Sequence, residues 1–468
     1  MGRSAYPLSN DVSVHRNRRL KATLVVLLVW GFVSLLHWQP QTQWLMVGLT
    51  TVLAVQTVQM LMAKAIAPRI EGDADLPTVS ILVPAKNESV VLPDLIHSLF
   101  HLNYPSTHLD IWIVDDGSTD ETPQILRKLQ TEFSGLQVHR RESKGGKSGA
   151  LNAVFPFTQG EIVLVCDADA QLPANFLRQT VPLFQKKAIC ADSCRALPAR
   201  FANRVASLFS CPKGCTQQRF AIGAVQVRKA IINADTNFLT RCQQMEMSCD
   251  SFLQTHRIAV GGMSELRGNG MLVHRELLQK CNGWNEDTVT DDLDLCFKLY
   301  LTGTEIEFVT VPAIQEEAVT TWRELWHQHS RWAEGGYQRY LDYFPQILTL
   351  GWAKEIDLLL FFLLQFLLPI GLIPDLLWTI FYSHHPILFP LQTLLSIILT
   401  VAFIAGLHQY QNLRGWALLW ATVQGSLYMV HWIPVMIVTT LRMCIKPQEL
   451  NWVKTEHRGG MNYGQRSR

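Results

Sequence analysis

Three acidic clusters carry the residue types that chemistry at a phosphate needs. Asp115-Asp116-Gly117-Ser118-Thr119-Asp120 follows the apolar run Ile111–Val114, Asp167-Ala168-Asp169 follows Glu161–Val165 and Cys166, and Thr290-Asp291-Asp292 opens an amphipathic stretch. Carboxylates this dense repel one another unless a cation or a donor-rich ligand joins them. In an extended segment residues i and i+2 face the same way, so Asp167 and Asp169 can meet one divalent cation with phosphate oxygens as further ligands. Taken singly, each cluster also has the composition of a turn or a helix N-cap. A cationic partner is Lys144-Gly145-Gly146-Lys147-Ser148-Gly149-Ala150-Leu151-Asn152, whose glycines let backbone approach a phosphate and whose lysines can neutralise it. Its spacing is not that of a Walker loop, and alone it is equally a surface loop. Gln328-His329-Ser330-Arg331-Trp332 lies in a helical stretch starting near Thr321. Gln328 and Arg331 share a face there, fit either to bind a diphosphate beside an indole or to pack on a sheet.

The elements that must position these groups follow from hydropathy. Short β-rich runs (Val79–Val83, Ile111–Val114, Glu161–Val165, Ala224–Val227, Glu305–Val309) alternate with helical stretches across residues 72–350. That alternation predicts an α/β fold with a mostly parallel sheet, whose ligands sit at the carboxyl ends of the strands.

Around this middle lie apolar blocks at 22–38, 43–63, 357–380, 386–408 and 416–440. Runs of ~20 apolar residues match the thickness of a bilayer core. The first is no cleavable signal peptide, because a second span follows it without a small-residue cleavage site. The mosaic explains a mean hydropathy of only +0.10 with 17% charged residues over 468 positions. A net charge of +2 excludes bulk nucleic acid as a partner, and ten cysteines in a chain this long make no disulfide scaffold.

Flanking charge gives orientation. Residues 1–21 carry Arg3, Arg16, Arg18, Arg19 and Lys21 against Asp11, the 39–42 loop has no cation, and Lys64 and Arg69 follow the second span. The positive-inside rule therefore puts the basic N-terminus and the middle domain in the cytosol. The 441–468 tail is basic too (Arg442, Lys446, Lys454, Arg458, Arg466, Arg468), which demands an even number of late spans where three are counted in 356–440. Pro369 and Pro374 make the first late block the expected re-entrant or interfacial segment, or pair of short passes. The tyrosines of Tyr337–Phe344 read as an interfacial anchor or a plain linker.

In this order, Val83-Pro84-Ala85-Lys86-Asn87-Glu88, Asp115-Asp116-Gly117, Lys144–Asn152, Asp167-Ala168-Asp169, Thr290-Asp291-Asp292 and Gln328–Trp332 resemble the family 2 inverting glycosyltransferases, which include the hyaluronan, chitin and cellulose synthases. Gly223–Lys229, Glu265–Gly270, Gly283–Asp287 and Arg331–Tyr340 are similar to a narrower group within it, the cyanobacterial β-monoglucosyldiacylglycerol synthases. The resemblance implies a GT-A-type catalytic domain flanked by N- and C-terminal transmembrane helices. It also implies transfer of glucose from UDP-glucose to diacylglycerol with Mg²⁺, at the cytosolic face of a cyanobacterial plasma or thylakoid membrane. By residue, it implies that Asp115 and Asp116 hold the uracil and ribose side with Lys147 near them. Asp167 and Asp169 would bind the metal, Asp169 the more directly, and Asp292 would be the general base. Gln328, Arg331 and Trp332 would meet the diphosphate and line the acceptor site. Family members often carry Glu where Asp291 stands.

Two alternatives frame that expectation. A processive polysaccharide synthase would share the catalytic domain, but the late apolar blocks carry few charges to line a polymer channel. A non-catalytic sugar-nucleotide sensor would be expected to lack an acidic motif, and all three are intact. One departure is an insertion at about 188–221, with Cys190, Cys194, Cys211 and Cys215 in a C-x₃-C, sixteen-residue, C-x₃-C pattern. It reads as a zinc site of unusual spacing or as an ordinary insertion with free thiols.

Overall fold

A computed structural model describes residues 17–39, 41–64, 76–185, 187–188, 220–446 and 459. The four cysteines of the 188–221 insertion, and the basic residues before Asn17 and beyond Lys446, lie outside the described residues.

The strands are β1 (Val79–Ala85), β2 (Leu109–Asp116), β3 (Leu136–Arg141), β4 (Ile162–Val165), β5 (Lys187–Ala188), β6 (Phe220–Ile231), β7 (Met271–His274) and β8 (Glu305–Glu316). They form one sheet in the order β3-β2-β1-β4-β7-β6-β5, with β8 also paired to β6. Pairing is parallel for β3–β2–β1–β4 and for β6–β8, and antiparallel where β7 joins β4 and β6. The expected mostly parallel α/β sheet is thus present. Every residue of β1 is buried, because helices cover both faces of a central parallel strand. Helix α3 (Leu92–Phe100) shows the matching pattern: Leu92, Leu95, Ile96 and Leu99 recur at i, i+3, i+4 and i+7 and are fully buried. The sequence reading missed β3, β5 and β7. β3 is a half-exposed edge strand without an apolar run, β5 has two residues and β7 four.

Five helical stretches among the described residues are long and apolar enough to cross a membrane: Arg18–Trp38, Trp44–Met62, Trp352–Tyr382, Phe389–Gln411 and Gly415–Ile445. Their outward faces are apolar; Leu20, Leu24, Leu27, Leu28, Phe32 and Leu35 of helix α1 (Arg18–Trp38) are all more than half exposed. The prolines do not interrupt the third stretch as expected. It stays helical to Tyr382 because Leu363–Leu367 adopt a wider π turn just ahead of Pro369, which frees the carbonyls that the ring would strike. Its second half lies parallel to α1: Trp30 Nε1 donates to the Ile370 carbonyl (3.2 Å), and His37 Nε2 meets Asp375 Oδ1 (2.9 Å).

The tyrosine-rich segment is likewise no surface anchor. Tyr337, Tyr340 and Tyr343 recur every third residue, so one helix face carries them inward, where Tyr337 stacks on Phe366, Tyr340 on Phe362 and Tyr343 on Phe297.

Candidate active site

The carboxyl ends of β4, β6 and β8 open into a cavity of about 670 Å³, completed by the start of helix α9 (Asp291–Leu301) and by helix α10 (Trp322–Ile347). Asp167, Asp169, Lys147, Asp291, Asp292, Gln328, Arg331 and Trp332 all line it.

Each is placed by its element. Past the end of β4 the chain is not extended as expected but turns at Ala168–Asp169, the Ala170 amide donating to the Asp167 carbonyl (3.1 Å), and this turn brings both carboxylates to the cavity. The Asp167 amide donates to Asn269 Oδ1 (3.1 Å), and Asp169 Oδ2 accepts from the Glu317 amide (2.8 Å). Helix α5 (Gly146–Val154) begins at the glycine pair, with Gly145 and Gly146 both at positive φ, and projects Lys147 onto Asp167 Oδ1 at 2.5 Å. Lys147 therefore turns to the second acidic cluster and not to Asp115 and Asp116. Burial alone would push its ammonium down, but Asp167, Asp291 and Asp292 outweigh that and hold it above the usual lysine value.

Asp115 and Asp116 are buried and lie outside the cavity lining. The register of β2 on β3 sets them opposite Arg140 and Arg141; Arg141 Nε lies 3.0 Å from Asp116 Oδ1, and Arg140 Nε lies 3.4 Å from Asp115 Oδ2. Arg141 in turn donates to the Lys144 and Gly149 carbonyls. Asp116 thereby steadies, through Arg141, the turn that aims Lys147.

Asp291 and Asp292 sit at the N-terminus of α9, where backbone N–H groups favour negative charge. Asp292 Oδ1 accepts from the Leu293 amide (2.8 Å). Burial raises the Asp292 carboxyl against the pull of Lys147, and raises that of Asp291 to about 6. Thr321 and Glu324 cap α10 reciprocally, which fixes where the helix starts and so which side chains face the cavity. Arg331 feels Asp167, Asp291 and Asp292, although burial dominates and draws its guanidinium below the ordinary arginine value.

Sequence reasoning assigned no role to several neighbours. Lys229 of β6 and Glu316 of β8 pair at 3.1 Å on the cavity wall, and Asn269 donates to Glu316 (2.9 Å). His329 stacks between Trp332 (4.9 Å) and Trp432 (4.4 Å), setting the plane of the Trp332 indole. Arg18 and Arg19 of α1, with Arg442, Met443 and Lys446, line the opposite rim. The only available signal was motif membership, in Gly223–Lys229 and Glu265–Gly270; the rim residues had none beyond charge at the end of an apolar block.

Gly335 shows how tightly α10 is seated. A Cβ there would fall 2.1 Å from Thr290 Oγ1, and Thr290 immediately precedes the two carboxylates. Gly335→Ala is expected to push the start of α9 aside, costing about 1–3 kcal/mol of stability from overpacking. It should lower turnover more than substrate affinity, and steady-state kinetics beside a thermal melt checks both.

No group of three or more His, Cys, Asp or Glu side chains is poised for a metal among the described residues. Two carboxylates with substrate phosphates suffice to hold a hard divalent cation. Asp167 and Asp169, together on one wall, fit that pattern.

Residues 80–243 match the family Glycosyl transferase family 2, and residues 162–443 match Glycosyl transferase family group 2. The beta-monoglucosyldiacylglycerol synthase of Trichormus variabilis is 44% identical over 454 residues, covering 95% of this chain and 90% of that protein. The Synechocystis protein of the same name is 41% identical over 456 residues, covering 94% and 88%. Among solved structures, the mannosyltransferase PcManGT from Pyrobaculum calidifontis, in complex with GDP-Man and Mn²⁺, aligns with a TM-score of 0.48 at 18% identity, over 91% of this chain and 99% of that one.

Proposed function

The chain belongs to glycosyl transferase family 2, and from that premise we propose that it transfers glucose from UDP-glucose to 1,2-diacylglycerol, with inversion, to give β-monoglucosyldiacylglycerol. The observation that carries this reading is the position of the acid-lined cavity. One wall is the strand ends and the other is the first turn of α1 with Arg442, Met443 and Lys446, so a hydroxyl held at a bilayer surface can reach the carboxylates. Near-full-length identity to the cyanobacterial synthases supports the same acceptor and donor.

In this reading Asp292 removes the proton from the attacking diacylglycerol hydroxyl on the face of the sugar opposite the leaving group. Lys147 and Arg331 stabilise the charge that develops on the departing UDP, and Gln328 and Trp332 orient the diphosphate and the acceptor. Asp115 and Asp116 act on the uridine side, from beneath the turn that Arg141 braces. Asp167 and Asp169 would hold Mg²⁺, whose positive charge would further neutralise the diphosphate. The protein is a multi-pass membrane protein whose catalytic domain is cytosolic.

Incubating membranes that contain the full chain with labelled UDP-glucose and diacylglycerol is expected to give a chloroform-soluble glucolipid. EDTA should abolish the product and Mg²⁺ restore it. Label in a water-soluble polymer would overturn the lipid acceptor, and turnover unaffected by chelation would overturn the metal.

A further inference from the structure

We propose that the last apolar block, Gly415–Ile445, does not cross the bilayer but lies along its catalytic side as a two-helix bracket, its outer face in the acyl chains and its inner face walling the cavity. This deepens the membrane glucosyltransferase reading and rests on it.

By length and composition the block qualifies as a span, at 31 residues. It is nevertheless two helices, α14 (Gly415–Met429) and α15 (Trp432–Ile445), of 15 and 14 residues. At ~1.5 Å per residue each is about 21–23 Å long, short of the ~30 Å hydrocarbon core.

Its start, middle and end are tied to the same side. Just ahead of it, Gln411 Nε2 donates to the Gln244 carbonyl (3.2 Å) and to Ser248 Oγ (2.9 Å), both on helix α7 (Phe238–Ala259). At the midpoint, Tyr428 Oη and Trp432 Nε1 donate to the two oxygens of Glu246 on that helix (2.9 and 2.8 Å), and His431 Nε2 lies 2.6 Å from His329 Nδ1 of α10. At the end, Arg442 Nη2 meets Glu334 of α10 (2.5 Å), and Arg19, at the start of α1, donates to the Cys444 carbonyl (2.9 Å). The centre of a crossing helix would sit mid-bilayer; here it is bonded to the helix that carries Gln328 and Arg331.

The outer face identifies what covers it. Trp416, Leu419, Trp420, Val423 and Leu427 are exposed and spaced i, i+3, i+4, i+7, i+11, a single stripe. Two of the five are tryptophan, a residue enriched at membrane–water interfaces. The stripe's natural occupant is the acyl region of the catalytic-side leaflet, into which a helix with one apolar face embeds. With the bracket on the surface, Trp352–Tyr382 and Phe389–Gln411 are the spans left after the middle domain among the described residues. That count is even, and it returns Arg442 and Lys446 to the side of Arg18 and Arg19, as the positive-inside rule requires.

The test is a reporter at the C-terminus of the full chain in a bacterial host. A fluorescent protein that matures only in the cytosol should light up, and alkaline phosphatase, which folds only across the membrane, should show no activity. Phosphatase activity with loss of fluorescence would overturn the proposal. In vesicles of brominated lipid, the emission lost in Trp416→Phe/Trp420→Phe relative to the native chain should be the quenched fraction, and an unquenched difference would overturn the lipid contact. Glucolipid assayed in the same membranes keeps the two readings apart. A cytosolic tail without product sinks the glucosyl transfer alone, whereas product with a far-side tail sinks the bracket alone.

Discussion

Asp292→Asn is expected to lower glucosyl transfer by about 10²–10⁴-fold, the usual contribution of a positioned general base, while leaving UDP-glucose affinity close to native. The amide keeps the shape of the side chain and an oxygen for the Leu293 amide. What it loses is the capacity to take a proton. Burial holds the native carboxyl above the ordinary aspartate value of ~3.9, and a base must be ionised to act. The native rate should therefore rise with pH along a limb displaced upward from that value, and the small residual rate of the variant should lack the limb. Asp291, its carboxyl raised by burial to about 6, shares Lys147. Asp291→Asn should keep the limb, with a smaller loss of turnover, because Asp292 retains its carboxyl and its lysine. A pH–rate profile of all three proteins decides the assignment; native turnover in Asp292→Asn would remove Asp292 from the base role.

The site was legible in the sequence where an acidic cluster coincides with the end of a strongly apolar strand. Ile162–Val165 can only be buried, so the residues after it must face the sheet mouth, and Asp167 and Asp169 do line the cavity. The reading weakened where the partner comes from elsewhere in the chain. Nothing local shows that Lys147 reaches Asp167, or that Asp115 and Asp116 face arginines on β3, because strand register decides both. The late helices were harder to read for a related reason. Hydropathy counts apolar residues without showing what they touch, so Pro369 looked like a break and the two-helix build of Gly415–Ile445 left no trace. A π turn absorbs the first, and hydrogen bonds from Tyr428 and Trp432 to Glu246, with the contact of His431 and His329, hold the middle of the second.

Glu265→Gln is expected to cost about 3–5 kcal/mol of stability, the range for breaking one side of a buried ion pair, read as a lower thermal midpoint of the solubilised protein. Glu265 is 2% exposed and faces three guanidiniums: Arg339 at 2.7 Å, Arg267 at 3.1 Å and Arg257 at 3.7 Å. Arg257 and Arg267 keep Asp357 and Asp250 (2.8 and 2.6 Å) when Glu265 is neutral, so the loss falls most heavily on Arg339. Burial by itself would raise the Glu265 carboxyl; Arg339, Arg267 and Arg257 reverse this and hold it well below the usual glutamate value. A depressed folded-state value fixes the sign of the pH dependence. The contribution is complete above the unfolded value of ~4.3 and is lost as pH falls below it, because the unfolded chain then binds a proton that the folded chain refuses. Native protein should lose stability steeply with acid below that point, and Glu265→Gln should follow a shallower curve from a lower start. Equal midpoints at neutral pH would show that the arginines find other partners. Function should fall with stability, since the loop from Glu265 runs directly to Gly268, where a Cβ would lie 3.3 Å from Asp292 Oδ2 and 3.4 Å from Lys147 Nζ. The same carboxylate that holds three arginines together therefore also sets the backbone against which the proposed base and its lysine are packed.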